Sequence, residues 1–235
     1  MTVDKEPHGI AAMFSEIAPR YDLLNHLLSC GLDRYWRRTA VAEVAATKPR
    51  RVLDVCAGTG DLSVSLRAVG CGGSIVLADF ALPMLRRAVP KFAADSGVTP
   101  VAADGLTLPF ADGAFDAVMV AFGVRNFVAL ETGLREVVRV LRAGGTLTVL
   151  EFCGWRDSSL PGPLGFAIQT LVPAVGRLVS GHASAYGYLQ ESIAGFATKR
   201  ELQAVFHRVG LGSVRARELS FAICTLLTGR KEGCS

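Results

Sequence analysis

The stretch that most constrains this chain is RVLDVCAGTG, residues 51–60, together with the residues that follow as far as Asp79. Val52, Leu53 and Val55 form a short run of branched apolar residues, the pattern of a buried strand. Gly58-Thr59-Gly60 ends that run, because a backbone that turns tightly and lets a ligand come close has no room for a Cβ. Asp61-Leu-Ser-Val-Ser-Leu then opens a helix. Nineteen residues past Gly60, a second apolar run, Ser74 to Ala78, ends in Asp79. Strand, glycine turn, helix and a strand ending in an acid make a nucleoside-binding βαβ unit, in which the acid reaches ribose hydroxyls.

The residues inside the unit narrow the nucleoside. A dinucleotide fingerprint carries a third glycine three residues after the second, where this chain has Ser63. Asp54 is an acid inside the end of the first strand. A carboxylate there sits badly beside a pyrophosphate but well beside a cationic amino-acid ligand. S-adenosylmethionine, with a sulfonium, an ammonium and no phosphate, fits Asp54, Gly58, Thr59, Gly60 and Asp79 together. A nicotinamide dehydrogenase does not. A non-catalytic cofactor-binding protein would keep the same cradle.

Further along, Phe80 and Met84 are candidates to cover an adenine face. A third strand over Val98 to Ala103 leads to Asp104-Gly105, an acid placed to meet the adenine amino group. Phe115 to Val120 reads as a fourth strand. Ligands of open parallel sheets lie beyond the carboxyl ends of the strands, so Ala121 to Asn126, with Arg125, should face the site. A helix from Leu130 to Leu141 and the Arg142-Ala-Gly-Gly turn lead to a fifth strand, Thr146 to Phe152, carrying Glu151. A helix over Lys199 to Val209 precedes two strands, Ser213 to Leu219 and Phe221 to Thr228, expected as an antiparallel hairpin.

Before the unit, residues 10–46 have helical periodicity, with Asp33 as an expected N-cap. Residues 158–176 contain no charged side chain, yet their prolines and glycines argue against a membrane span. They read as part of an apolar flap, residues 154–194, over the site or against lipid. At 235 residues and 50% hydrophobic content, the chain is expected to form one domain, residues 1–235. A net charge of +4 without a basic run interleaved with aromatics gives no reason to expect nucleic acid. Six cysteines without CxxC or metal-ligand spacing suggest reduced thiols and no metal site. MTVDKEPHGI has no apolar signal core, so a cytoplasmic location is expected.

This order resembles class I S-adenosylmethionine-dependent methyltransferases over nearly the whole chain. LDVCAGTG is similar to their first motif, with Cys56 where many members have Gly or Ala. YDLLNHLLSCGLDRYWRR and RVLRAGGTLTVLEF, with FGVRN and YLQESI, are similar to the signatures of the ubiquinone/menaquinone biosynthesis C-methyltransferases. The resemblance implies a Rossmann-like α/β sheet, mostly parallel with an antiparallel final hairpin, helices on both faces and an N-terminal helical cap. It places cofactor contacts on Thr59, Asp79, Asp104 and Gly105, with Phe80 beside them. A serine common before FG is Ala121 here, which removes a side-chain contact to the methionine part. The histidine common before the tryptophan of the first signature is Asp33.

The implied reaction moves a methyl group onto a ring carbon of a prenylated hydroquinone. That carbon becomes nucleophilic when an adjacent hydroxyl loses its proton, so the site must align the transfer, favour the phenolate and exclude water. Arg125 is expected to stabilise phenolate charge and Asn126 to orient a hydroxyl. Tyr21 and His26 are candidates for substrate contact or proton relay. Demethylmenaquinol is the expected acceptor, with the ubiquinol precursor or another small aromatic as alternatives. The expected partners are the prenylated quinol and the inner face of the membrane, met peripherally; a homodimer is compatible with the sequence.

Overall fold

In the computed structural model, the residues described are 21–153, 188 and 191–233. The helical cap enters as α1 (Tyr21–Leu28) and α2 (Leu32–Ala46), and β1 (Arg51–Val55) follows. Next come α3 (Asp61–Ala68), β2 (Ser74–Asp79), α4 (Leu82–Ala88), a short 3-10 segment (Val89–Phe92) and β3 (Val98–Ala102). The second half holds β4 (Phe115–Ala121), a 3-10 turn (Val124–Asn126), α5 (Leu130–Val140), β5 (Leu141–Glu151), α6 (Lys199–Arg208), β6 (Leu211–Leu219) and β7 (Cys224–Lys231).

The seven strands form one sheet in the order β3-β2-β1-β4-β5-β7-β6. The first five are parallel, and β7 inserts antiparallel between β5 and β6. After β1 the chain builds outward through β2 and β3, then crosses back to place β4 on β1's other side. The crevice at that reversal, beyond the carboxyl ends of β1 and β4, is where open α/β sheets take ligands.

The alternation of side chains along a strand sends odd and even residues to opposite faces. Leu53, Val55, Val118 and Val120 pack with Leu134 and Val137 of α5 and Phe206 of α6. Val52, Ala117 and Met119 face the other way and pack with Trp36, Val41 and Val44 of α2 and Leu66 of α3. Helices therefore cover both faces, as expected. The apolar strands are buried on both sides, which is why they read as near-continuous hydrophobic runs.

Several expected boundaries moved. β5 starts at Leu141, because Arg142 to Gly145 bulge within the pairing of β4 with β5 rather than preceding it. The last strand starts at Cys224, and Phe221 lies in the hairpin turn, where Ser220, Phe221 and Ala222 all have positive φ. Asp33 is not an N-cap: Gly31, at φ 78°, holds that position without a side-chain bond. Asp33 instead turns inward and is buried. The expected flap falls, over residues 154–187, 189 and 190, outside the described residues. Among the described residues, no helix is long and apolar enough to cross a membrane.

Candidate functional site

Asp54 lies on the even-numbered face of β1, so its side chain points toward α3, where the Ser63 hydroxyl donates to Oδ2 at 2.6 Å. The residue is 1% exposed, and no ion pair joins it among the described residues. Burial pushes its pKa from 3.8 to about 7, opposed by the Ser63 bond and reinforced by the negative charge of Asp79.

The raised value gives a stability prediction. The folded protein holds the Asp54 proton more tightly than the unfolded chain. Its contribution is therefore full below about pH 4, is lost as pH rises, and levels off above about pH 7. Without cofactor, wild-type stability relative to Asp54→Asn should fall by on the order of 3 kcal/mol between pH 5 and 8. Urea unfolding at a series of pH values measures this, and parallel pH profiles for the two proteins would refute it.

Gly60 opens α3 at φ 80°. That conformation is open to few other residues, and a Cβ there would meet the Phe92 ring at 2.9 Å. The turn is held from β2: the Gly58 N–H donates to Asp79 Oδ2 at 2.7 Å, and the Ala81 N–H to Oδ1 at 2.8 Å. Burial raises the Asp79 pKa against those two bonds. A carboxylate has lone pairs beyond the two in use, so Asp79 can still accept from hydroxyls. Thr59 is buried, and its hydroxyl donates at 2.6 Å to Asp22 of α1.

Of the two candidates to cover a base, Phe80 is 43% exposed whereas Met84 is buried beneath the turn. Asp104 Oδ1 accepts the Leu106 N–H at 2.8 Å and shapes the turn after β3. A Cβ on Gly105 would meet the Phe127 ring at 2.6 Å. Ala121 ends β4, half-buried, with no polar group to offer.

Arg125 is not an exposed loop residue. It sits in the 3-10 turn after β4, 4% exposed. One terminal guanidinium nitrogen donates to Glu151 Oε1 at 2.7 Å and to the Phe122 carbonyl at 2.6 Å. Its backbone N–H reaches Glu151 Oε2 at 3.3 Å, and the guanidinium lies 5.9 Å from the Phe152 ring centre. Asn126 Oδ1 accepts the Tyr188 hydroxyl at 3.0 Å. Burial raises the Tyr188 pKa, with Arg125 opposing. The floor beside them is aromatic. Phe122 and Phe152 stack at 4.6 Å, and Trp36 meets both edge-on while its indole N–H donates to Ser220.

His26 is placed differently. Its Nδ1 lies 2.6 Å from Asp33 Oδ2, and Asp33 also binds Ser29 and Arg37. His26 opens on a cleft of about 410 Å³ lined by Asp22, Leu23, Arg34, Asp61, Val64 and Lys91. Neither Arg125 nor Asn126 borders it. Tyr21 opens α1, but its side chain is outside the described residues. The structure thus gathers Asp54, the glycine turn, Asp79, Phe80, Asp104, Gly105, Ala121, Arg125 and Asn126 along the carboxyl edge of the sheet. Sequence reasoning gave no role to Glu151, Tyr188 or Asp22. Glu151 carried a signal, an acid in an apolar strand end, while Asp22 and Tyr188 lay inside the YDLLNHLLSCGLDRYWRR and YLQESI signatures without anything to show their partners.

Residues 1–231 match the ubiE/COQ5 methyltransferase family. The demethylmenaquinone methyltransferase of Thermus thermophilus is 46% identical over 218 residues, covering 92% of this chain and 99% of that protein. That of Deinococcus radiodurans is 43% identical, covering 97% and 95%. A ubiquinone/menaquinone biosynthesis C-methyltransferase of Syntrophotalea carbinolica is 40% identical, covering 92% of each. A crystal structure of a SAM-dependent methyltransferase from Thermotoga maritima, described as a possible histamine N-methyltransferase, superposes with a TM-score of 0.66. At 19% identity over 94% of this chain and 99% of that one, it speaks to the fold alone.

Proposed function

The chain belongs to the ubiE/COQ5 methyltransferase family, and from that membership we propose that it methylates a ring carbon of demethylmenaquinol, using S-adenosylmethionine, in menaquinone biosynthesis. The observation that carries the reading at the site is Asp54: a buried carboxylate without an ion-pair partner among the described residues, beside a glycine turn and a second acid. These residues fit the cofactor. The cofactor's positive charges stabilise the ionised form of Asp54, Asp79 accepts from ribose hydroxyls, and Asp104 and Phe80 border the base. The backbone of Gly58, Thr59 and Gly60 leaves room for it. When bound, S-adenosylmethionine supplies an electrophilic methyl group.

The chain's own residues do the rest. Arg125, its charge balanced in the resting site by Glu151, sets a guanidinium beside the crevice in surroundings of low polarity, where its interaction with a developing phenolate is strongest. Asn126, oriented by Tyr188, positions a hydroxyl of the acceptor. Phe122 and Phe152 supply a dry, flat floor suited to an aromatic ring. Exclusion of water there strengthens the Arg125 charge. Tyr21 serves the acceptor from the cap, whose α2 reaches the aromatic floor through Trp36, whereas His26 is engaged with Asp33 and faces a separate cleft. A prenylated acceptor resides in lipid, so the enzyme works at the inner face of the membrane without crossing it. The relative from Syntrophotalea carbinolica, named for both quinones, keeps the ubiquinol precursor as the second acceptor.

The test is methyl transfer from labelled S-adenosylmethionine to reduced demethylmenaquinone and, in parallel, to a reduced ubiquinone precursor. Label on a ring carbon of the first is the expected result. Label on the second alone moves the acceptor. Label on neither quinol, despite tight cofactor binding, overturns the assignment.

A further inference from the structure

We propose that Asp22 is a positioning residue for the cofactor, fastening the N-terminal cap to the glycine turn so that cap docking and cofactor binding are one event. The inference rests on the cofactor assignment made above and adds a residue outside the carboxyl edge of the sheet.

Thr59 lies between Gly58 and Gly60, whose φ values are 55° and 80°. Backbone of this kind has several accessible conformations, so something besides its own torsions must hold the turn in one. Asp79 holds it from one side through the Gly58 N–H. The Thr59 side chain is a further handle, beside the Ala57 N–H bond to the Ala78 carbonyl at 3.1 Å, and Asp22, 37 residues earlier in α1, accepts that hydroxyl at 2.6 Å. Asp22 is itself fixed. Its second oxygen accepts from Lys91 Nζ at 2.7 Å, and Lys91 also donates to Asp61 Oδ1 at 2.6 Å. Asp61 Oδ2 lies 3.4 Å from Arg37, which binds Asp33, and Asp33 binds His26.

The chain of carboxylates and cations thus joins α1, α2, the start of α3 and the 3-10 segment after α4. These are the segments that surround the turn. The Lys91 links to Asp22 and Asp61 are partly exposed pairs of small effect, whereas Arg37–Asp33 is buried, and the chain of links reaches the Thr59 hydroxyl through Asp22. An eight-residue helix such as α1 does not hold its own fold in water, and its Leu23 and Leu27 are exposed rather than packed. α1 therefore takes part of its placement from Asp22, and the turn takes part of its shape from the same carboxylate. A ligand that needs the turn in this conformation favours the docked cap, and the docked cap favours the ligand equally, because such coupling is reciprocal.

The experiment is calorimetric titration of S-adenosylmethionine into wild type, Asp22→Ala, Asp22→Asn, Thr59→Val and the Asp22→Ala/Thr59→Val double variant, with melting temperatures taken without cofactor. Asp22→Ala and Thr59→Val should each weaken binding by about tenfold. The double variant should be no worse than either single one, since both remove the same bond. Asp22→Asn, which still accepts from the hydroxyl, should keep most of the affinity. In turnover, KM for the cofactor should rise about tenfold while kcat changes little. Wild-type affinity in Asp22→Ala, or losses that multiply in the double variant, would overturn the proposal while leaving the function intact. A wild type that does not bind S-adenosylmethionine would sink both.

Discussion

Arg125→Ala should lose about 3–5 kcal/mol of stability, because removing the guanidinium strands the Glu151 carboxylate in a place with no water to receive it. Glu151 is 0% exposed, and its oxygens are met by the Arg125 guanidinium and by the N–H groups of Arg125 and Phe152. Loss of methyl transfer in that variant would by itself say little, since the crevice would deform with the pair. The informative protein is Arg125→Met/Glu151→Gln. It removes both charges at similar volume and should return to within about 2 kcal/mol of wild type, as replaced buried pairs do. If the Arg125 charge faces the developing phenolate, turnover of the double variant should stay at least about 100-fold down, the usual cost of losing one preorganised electrostatic partner. Chemical denaturation and single-turnover transfer measure the two quantities separately. Recovery of turnover together with stability would reduce Arg125 to a structural residue.

The second large effect is expected at Gly123. A Cβ there would press into the Cys56 Cβ, meet its Sγ at 2.8 Å and meet Val120 Cγ1 at 3.1 Å. Gly123 belongs to the segment after β4 and Cys56 to the turn after β1, so their contact spans the crevice at the reversal of strand order. Gly123→Ala should therefore cost about 1–3 kcal/mol by overpacking. It should also weaken S-adenosylmethionine binding by more than about tenfold, since the turn that must move is the one that would carry the cofactor. The compensating change is Cys56→Gly. Cys56 has φ 55°, a conformation a glycine adopts freely, and losing its side chain makes room for the new methyl group. The Gly123→Ala/Cys56→Gly protein should regain most of both losses by denaturation and titration. If it does not, the clash across the crevice is not what limits the single variant.

Much of this architecture was legible in the residues. Short apolar runs located β1, β2 and β4, and glycine chemistry located the turn between β1 and α3. Asp54 announced itself as an acid where the pattern demanded an apolar residue. What stayed hidden were pairings between distant segments. Asp22 with Thr59, Arg125 with Glu151 and Asn126 with Tyr188 lie 37, 26 and 62 residues apart. No local pattern records such a distance. Asp33 was misread for a related reason. An acid in the first turn of a helix looks like a cap, and only the fold shows that left-handed Gly31 has taken that place. Its i,i+4 spacing to Arg37 was the available hint. β5 ran longer than its composition suggested because pairing with β4 carries Arg142 to Gly145 as a bulge, and pairing is a property of the neighbour.

The insertion of β7 between β5 and β6 bears on how the molecule is made. Among the described residues β6 pairs with β7 alone, which is translated after it, and β7 is also the second strand neighbour of β5. On a ribosome the parallel half can assemble first. The remaining half is an open template until the late strand threads into the slot and bonds on both sides. Open edges recruit other chains, so the nascent protein passes through a window in which self-association competes with completion. The faster residues 224–231 emerge, the shorter that window lasts.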